Sequence, residues 1–333
     1  MTDLDLSGLG FKPETGVFLD LETVDTGDLD RSKLEASLPV WTWFEYSDFD
    51  DIPQRIAGAN VVISNKCMLD RAVLEQATSL QLVVVAATGT NNVDLKAAAE
   101  LGIVVCNIRD YATDSVAQHV MTLMLNLLTR QPWYQRDVTS GEWSGSRQFC
   151  LNHYPIREAK GLSFGVIGYG VLGRASAELA DVLGMNVLVA ERKGQPPREG
   201  RMAFEEVIER ADVLSLHCPL SSETRGLIDA GVFQAMKPDA VLINTARGAI
   251  INGQDLANAL REGVIAGAAV DTLSQEPPPA DHVLLAPDIP GLLVTPHNAW
   301  ASKRARQTAL DQLADVICAF ADGQIINQVE HDG

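Results

Sequence analysis

The sequence predicts an α/β protein built from parallel sheets in two domains. Three observations carry this. Short β-branched runs alternate with amphipathic stretches, the pattern of βαβ units. The alternation comes in two series, the second beginning at Leu162. The chain has 333 residues, and at roughly 100–200 residues per domain this is room for two cores.

In the first series, Val61–Ile63, Leu82–Ala86 and Ile103–Cys106 read as buried strands. Asp70–Ala77 and Asp94–Leu101 read as the helices between them, each opened by a capping aspartate, with Gly102 closing the second. An apolar-periodic segment from Ser115 to about Arg130 reads as a helix leading from one domain into the next. The second series has strands at Ser163–Ile167, Asn186–Ala190, Val213–Leu216, Ala240–Ile243, Ala266–Val270 and Gly291–Val294. Gly173–Leu183, Phe204–Arg210 and Gln254–Arg261 fit as helices between them. About six parallel strands is the size of a full dinucleotide-binding sheet. The stretch Ala301–Phe320 reads as one long helix, a return to the first domain, and Pro277-Pro278-Pro279 as a rigid loop.

Composition narrows the function. The formal net charge of -18 argues against nucleic acid or an anionic membrane as partner; the acidity serves solubility or adaptation to salt. It leaves a phosphate-bearing cofactor open, because a local cradle of backbone N–H groups overrides a distant net charge. The five cysteines are scattered, without C-x-x-C, which suits a reducing compartment and excludes a disulfide framework or cysteine zinc site. The six histidines are dispersed, and no metal-ligand spacing appears. Met1–Gly10 has no basic segment before an apolar run, and no apolar stretch is long enough to span a membrane. A cytoplasmic protein is expected.

Gly168-Tyr169-Gly170-Val171-Leu172-Gly173 has the form G-x-G-x-x-G. Glycines are common, and the context raises the signal: the run follows the strand Ser163–Ile167 and opens a helix. Gly168 permits the tight turn, Gly170 lets a pyrophosphate approach the backbone, and Gly173 lets helix and strand pack closely, with the phosphates facing the helix N-terminus. An acid at the end of the next strand should bind the adenosine ribose, and Glu191 stands there. It favours NAD by repelling a 2′-phosphate. Arg192 and Lys193 follow at once and leave NADP open.

Three polar residues follow strands of the second series: Arg247 after Ala240–Ile243, Glu276 in the loop after Ala266–Val270, and His297 after Gly291–Val294. Ligands of open α/β sheets lie outside the carboxyl ends of the strands, so the three can converge beside a nicotinamide. Reducing a keto acid needs a hydride on the carbonyl carbon and a proton on its oxygen. Histidine gives or takes a proton near neutral pH. Glu276 would hold His297 oriented. Arg247 offers a planar fork of donors to a carboxylate or developing alkoxide. A lone strand-end His is usually structural and a lone Arg usually a surface ion pair; the coincidence of all three with the Gly-rich turn makes the site.

These pieces resemble the D-2-hydroxyacid dehydrogenase family over nearly the whole chain. The matching segments are Ala87–Asp94 (ATGTNNVD), Ser115–His119 (SVAQH), GYGVLG, His217–Leu220 (HCPL), NTARG, Val270–Pro279 (VDTLSQEPPP) and Thr295–Ser302 (TPHNAWAS). Within the family the chain is most similar to the glycerate dehydrogenases, also called hydroxypyruvate reductases, through Asn65-Lys66, AATGTNNVD, Gln148-Phe149-Cys150 and PHNAWAS. The resemblance implies a Rossmann NAD-binding domain at 112–297 inserted into a flavodoxin-like substrate domain made of 1–111 and 298–333. It implies catalytic roles for Arg247, Glu276 and His297. It places backbone N–H groups around Thr88 and Gly89 on the substrate carboxylate, lines the cofactor with Ser115, Leu172, Cys218, Pro219, Thr224, Thr245 and Ala246, and puts Asp271 on the nicotinamide carboxamide. It also implies a homodimer joined through the region from Gln118 to about Trp143.

Two departures matter. The cofactor acid is Glu191 where the family usually has Asp. The loop from Gly141 to Lys160 is longer than in many relatives and carries Arg147, His153 and Arg157; it is expected to border the active site, its own or a partner subunit's. Lys66 reads equally as a substrate contact and as a solvated loop lysine. The expected activity is NAD(H)-dependent reduction of hydroxypyruvate in a cleft between domains that close on it. Glyoxylate, a longer 2-keto acid or phosphite is the alternative substrate on the same scaffold, and an NAD(H)-sensing regulatory protein the alternative class.

Overall fold

A computed structural model describes residues 12–329; Met1–Gly10 lies outside them. The chain divides into two compact units, one holding the described residues up to Ala112 and again from Ala301, the other Thr113–Trp300.

The first unit runs β1 (Thr15–Phe18), α1 (Ser32–Glu35), β2 (Val40–Trp43), α2 (Ile52–Ile56), β3 (Val61–Ser64), α3 (Arg71–Gln76), β4 (Leu82–Val85), α4 (Leu95–Glu100) and β5 (Val104–Asn107). The five strands form one parallel sheet in the order β2-β1-β3-β4-β5, the doubly wound order of a flavodoxin-like domain. Burial on both faces explains the unbroken apolar runs. Val62, Val83 and Val85 join one core cluster, while Val61, Ile63, Leu82 and Val84 join another on the opposite face, the two-residue period of a strand. Asp70 and Asp94 cap α3 and α4, accepting from the N–H groups of Val73 and Ala97 at 2.9 Å each.

The second unit runs α5 (Thr113–Thr129), α6 (Gln131–Thr139), α7 (Glu142–Gly145), β6 (Ser163–Ile167), α8 (Val171–Val182), β7 (Asn186–Val189), α9 (Phe204–Arg210), β8 (Val213–Leu216), α10 (Ala230–Ala235), β9 (Val241–Asn244), α11 (Gly253–Arg261), β10 (Gly267–Val270) and β11 (Leu292–Val294). Its six-stranded parallel sheet has the order β11-β10-β9-β8-β6-β7. A single parallel bridge, Ala190 to Met202, extends it beyond β7. That bridge is what remains of a third strand, and counting it restores the order of a Rossmann sheet, which reverses between β6 and β8.

The last helix, α12 (Lys303–Ala321), returns to the first unit. Ser302 caps it, and Ala309, Leu310, Leu313, Ala314, Val316 and Ile317 complete the core on one face of that unit's sheet. Burying leucine- and isoleucine-sized side chains contributes on the order of 2 kcal/mol each.

Several short elements escape the sequence reading: β1, β2, α1, α2, α7 and α10. The segment from Ser115 to Arg130 does not cross between units, since α5 lies wholly in the second. Among the described residues no helix is long and apolar enough to cross a membrane, and all five cysteines are free.

Candidate active site

The carboxyl edge of the second sheet gathers the predicted residues. After β6, Gly168 takes φ 92°, and a Cβ there would lie 2.4 Å from the Cys218 nitrogen in the loop after β8. Only glycine fits. A Cβ on Gly173 would meet the Gly168 carbonyl oxygen at 2.1 Å, so the turn folds tightly onto the start of α8. A Cβ on Gly170 would meet nothing within 4 Å. Gly170 is the N-cap of α8 and offers no side-chain cap. The first turn of a twelve-residue helix thus has no side-chain cap and open space at Gly170, a cradle that fits a dinucleotide pyrophosphate.

Glu191 follows β7, 3% exposed. Its carboxylate accepts from Arg198 Nε at 2.6 Å, Arg198 Nη2 at 2.7 Å and its neighbour Arg192 N–H at 2.9 Å. Arg198 foremost, then the Arg192 N–H, hold the carboxyl down to about 2.

After β8, Cys218 is buried, which pushes its thiol up to about 11 and rules it out as a thiolate at neutral pH. Its loop is closed by Thr224, whose hydroxyl donates to the Pro219 carbonyl at 2.6 Å and accepts from Ser221 N–H at 2.8 Å. The neighbouring His217 donates or accepts through Nε2 at Ser215 Oγ, 2.8 Å away, while Nδ1 is buried without a partner among the described residues. Burial holds this imidazole down to about 4.

At the end of β9, the fully buried Asn244 shapes the next loop: its amide donates to the Arg247 carbonyl at 3.0 Å and its carbonyl accepts from Ala246 N–H at 3.0 Å. The Thr245 hydroxyl is buried and unpartnered among the described residues, a polar atom awaiting a ligand in the loop expected to line the cofactor. Arg247 Nη1 donates to the Ala246 carbonyl at 2.8 Å.

After β10 and β11, Glu276 and His297 come together. His297 Nδ1 lies 2.6 Å from Glu276 Oε2, and Glu276 Oε1 accepts from Leu273 N–H at 2.8 Å. A carboxylate only accepts, so Nδ1 donates and Nε2 is the nitrogen left to exchange a proton. His297 sits at φ 52°, a left-handed conformation uncommon for a side-chain-bearing residue and a mark of functional sites. The structure brings Glu276 and His297 into direct contact; Arg247 reaches the same sheet edge from β9.

Asp271 holds this loop. It is 1% exposed; Oδ1 accepts from the Thr295 hydroxyl at 2.5 Å and Asn298 N–H at 3.0 Å, and Oδ2 from Ala299 N–H at 3.0 Å. The carboxylate thus ties the Thr295–Ala299 stretch to the end of β10, a framework role. His119 of α5 completes the network, 3.2 Å from Thr295 Oγ1. The Ser115 hydroxyl likewise donates inward, to the Ala299 carbonyl at 2.7 Å.

In the first unit, the expected substrate residues follow β3 and β4. Thr88, after β4, donates through its hydroxyl to the Ile108 carbonyl at 3.1 Å and accepts at its own carbonyl from the Asn107 amide at 2.7 Å, which fixes the backbone entering Gly89. Lys66 follows β3, in a loop clamped by buried Asp20, whose carboxylate accepts from the N–H groups of Asn65, Lys66 and Cys67. Asp20 is a residue the sequence reading missed; it follows β1, which opens with Thr15 and Gly16 rather than an unbroken apolar run.

The Gly141–Lys160 segment is anchored through Arg157. Arg157 pairs with Asp212 at 2.9 Å and also with Asp239, residues that precede β8 and β9. That part of the segment sits at the amino edge of the sheet, opposite Arg247, Glu276 and His297. The fold does bring Asp137, Glu142 and His153 within metal-ligand range of one another. His153 already bonds Asp137 at 2.9 Å, with Arg136 at 3.5 Å, so the group reads as ion pairs.

Comparison with known proteins agrees with this geometry. Residues 121–299 match the family model described as D-isomer specific 2-hydroxyacid dehydrogenase, NAD binding domain. The chain is 41% identical to a glycerate dehydrogenase of Methylorubrum extorquens, covering 91% of this chain and 98% of the relative. It is 34% identical to a hydroxypyruvate reductase of Blautia hydrogenotrophica, covering 94% and 98%. A solved structure of a Thermus thermophilus protein superposes with a TM-score of 0.83 at 30% identity, covering 95% and 99%.

Proposed function

The chain belongs to the D-isomer-specific 2-hydroxyacid dehydrogenases, NAD-binding oxidoreductases acting on CH–OH groups, and from that premise we propose that it is a glycerate dehydrogenase working as a hydroxypyruvate reductase. The single observation that carries the proposal is the 2.6 Å contact of His297 with Glu276 on the sheet edge that also holds the Gly-rich turn. The relatives supply the substrate: two are named for glycerate and hydroxypyruvate.

NAD(H) held here would supply the hydride to the keto carbon, or accept it in the reverse direction. The chain does the rest. The N-terminus of α8 and the Gly168–Gly173 turn hold the pyrophosphate, with the Thr245 hydroxyl and the loops at Cys218, Pro219, Thr224 and Ala246 along the cofactor. Backbone N–H groups at Thr88 and Gly89 hold the substrate carboxylate, Lys66 assists, and the Arg247 fork takes the carboxylate and carbonyl oxygen. His297 Nε2 delivers a proton to that oxygen as the hydride arrives and recovers one in oxidation. Glu276, anchored by Leu273 N–H, keeps Nδ1 as the donor and balances the imidazolium. The product is the D-2-hydroxy acid. The first unit is the substrate domain, and the second is the NAD domain. We assign the protein to the cytoplasm as a homodimer; exposed Val138, Trp143, Phe149 and Ile156 supply an apolar surface for self-association.

The test is oxidation of NADH with hydroxypyruvate, glyoxylate, pyruvate and 2-ketobutyrate in parallel. Hydroxypyruvate should lead. His297→Gln should lower turnover by about 10²–10⁴-fold, the usual contribution of a positioned acid, while still binding NADH. Undiminished turnover in that variant sinks the proton-transfer role, and silence across the panel with NADH bound sinks the activity.

A further inference from the structure

An unengaged acid after the second strand of a dinucleotide-binding sheet accepts from the ribose hydroxyls and repels a 2′-phosphate. Glu191 occupies that place, but it is not unengaged. Both its oxygens are taken by the Arg198 fork, at 2.6 and 2.7 Å, and Arg201 Nη1 stands 3.7 Å away. The carboxylate is buried, whereas the Arg198 side chain is 62% exposed. What faces outward is therefore the guanidinium, with the acid masked behind it.

The surroundings strengthen the reversal. Residues 191–201 carry Arg192, Lys193, Arg198 and Arg201 against Glu191 and Glu199, a cationic patch on a chain of net charge -18. The turn that brings Arg198 back passes Gly194 and Gly200, both at φ 75°, and Pro196-Pro197, and is pinned by the Ala190–Met202 bridge. Arg198 is thus held in place by the backbone on both sides. A guanidinium has five N–H donors; Nε and Nη2 each bond Glu191, and among the described residues Arg198 has no other partner. The donors that remain suit a phosphate, which a guanidinium fork recognises bidentately.

We propose that the end of β7 accepts a 2′-phosphorylated adenosine ribose, so that the chain takes NADPH on a par with NADH, with Arg198 the specificity-determining residue. This rests on the dehydrogenase reading, and calorimetric titration of the wild-type chain with NADH and NADPH separates the two. A Kd for NADPH within about tenfold of that for NADH supports the proposal. Tight NADH binding with NADPH weaker by more than that factor overturns it and leaves the dehydrogenase reading standing; binding of neither overturns both. Arg198→Ala unmasks Glu191, and the ratio of NADPH to NADH dissociation constants should rise at least about threefold. A folded variant whose ratio moves less removes Arg198 from the role. The wild-type comparison needs no variant and decides the proposal even if Arg198→Ala does not fold.

Discussion

Neutralising His217 should make the protein less sensitive to acid. The imidazole titrates near 6.5 when free and at about 4 in the folded chain, because burial disfavours its charged form. Between those values the unfolded chain binds a proton that the folded chain refuses. Stability contributed by this residue is therefore intact above pH 6.5 and lost as the pH falls toward 4. A difference of 2.5 pH units at 1.36 kcal/mol each gives a loss of up to roughly 3 kcal/mol. The ring edge that stays accessible makes this an upper bound; the charged ring carries a proton on both nitrogens, and Nδ1 is sealed without a partner among the described residues. His217→Asn removes the titration. Urea unfolding of the wild type and the variant, followed from neutral pH down to about pH 4, should give curves that converge with acidification, the wild type losing about 2–3 kcal/mol more. Parallel losses in the two proteins would refute the reasoning, because every other titrating group is common to both.

Two further substitutions test the framework around the site. Gly173→Ala drives a Cβ into the Gly168 carbonyl oxygen, 2.1 Å away; both sides are backbone, so overpacking should cost about 1–3 kcal/mol in thermal denaturation and weaken NADH in calorimetry, and an unchanged melting curve would show that the turn yields. Asp271→Asn leaves one of the Asn298 and Ala299 N–H groups facing an amide donor, a cost of about 1–3 kcal/mol. Because those N–H groups hold the His297 loop, kcat for hydroxypyruvate should fall further than KM rises, and a variant with wild-type kcat excludes the positioning role.

The elements that were legible in the sequence are those that bury both faces or carry a recognisable cap. β3, β4 and β8 are apolar runs buried throughout, and Asp70 and Asp94 announce α3 and α4. β2 was hidden for the opposite reason: Val40–Trp43 lies at the sheet edge with alternate residues exposed, and four residues of alternation do not stand out. Missing β1 cost the reading Asp20, whose only sequence signal is its position after that strand. The pairing of Glu276 with His297 was legible because both follow strands on the same edge. Arg198 was not: its contact with Glu191 depends on a turn through two prolines and two glycines, and seven residues of separation signal nothing by periodicity. The inward turn of Asp271 was equally hidden, since a strand-end carboxylate serves a ligand or its own loop with the same residue type.

The split of the first unit around the second has a consequence for biosynthesis. The second unit is one continuous stretch, Thr113–Trp300, and has every residue of its core once Trp300 is made. The first unit is begun earlier and finished later. One face of its sheet, including Phe18, Val61, Ile63, Leu82, Val84 and Cys106, is covered by α12, which the ribosome makes only after the 188 residues of the intervening unit. At roughly 5–20 residues per second that apolar face waits on the order of 10–40 s for its cover. A nascent chain halted before α12 presents a β-sheet with one greasy side open, and that is the species a chaperone at the exit tunnel would meet.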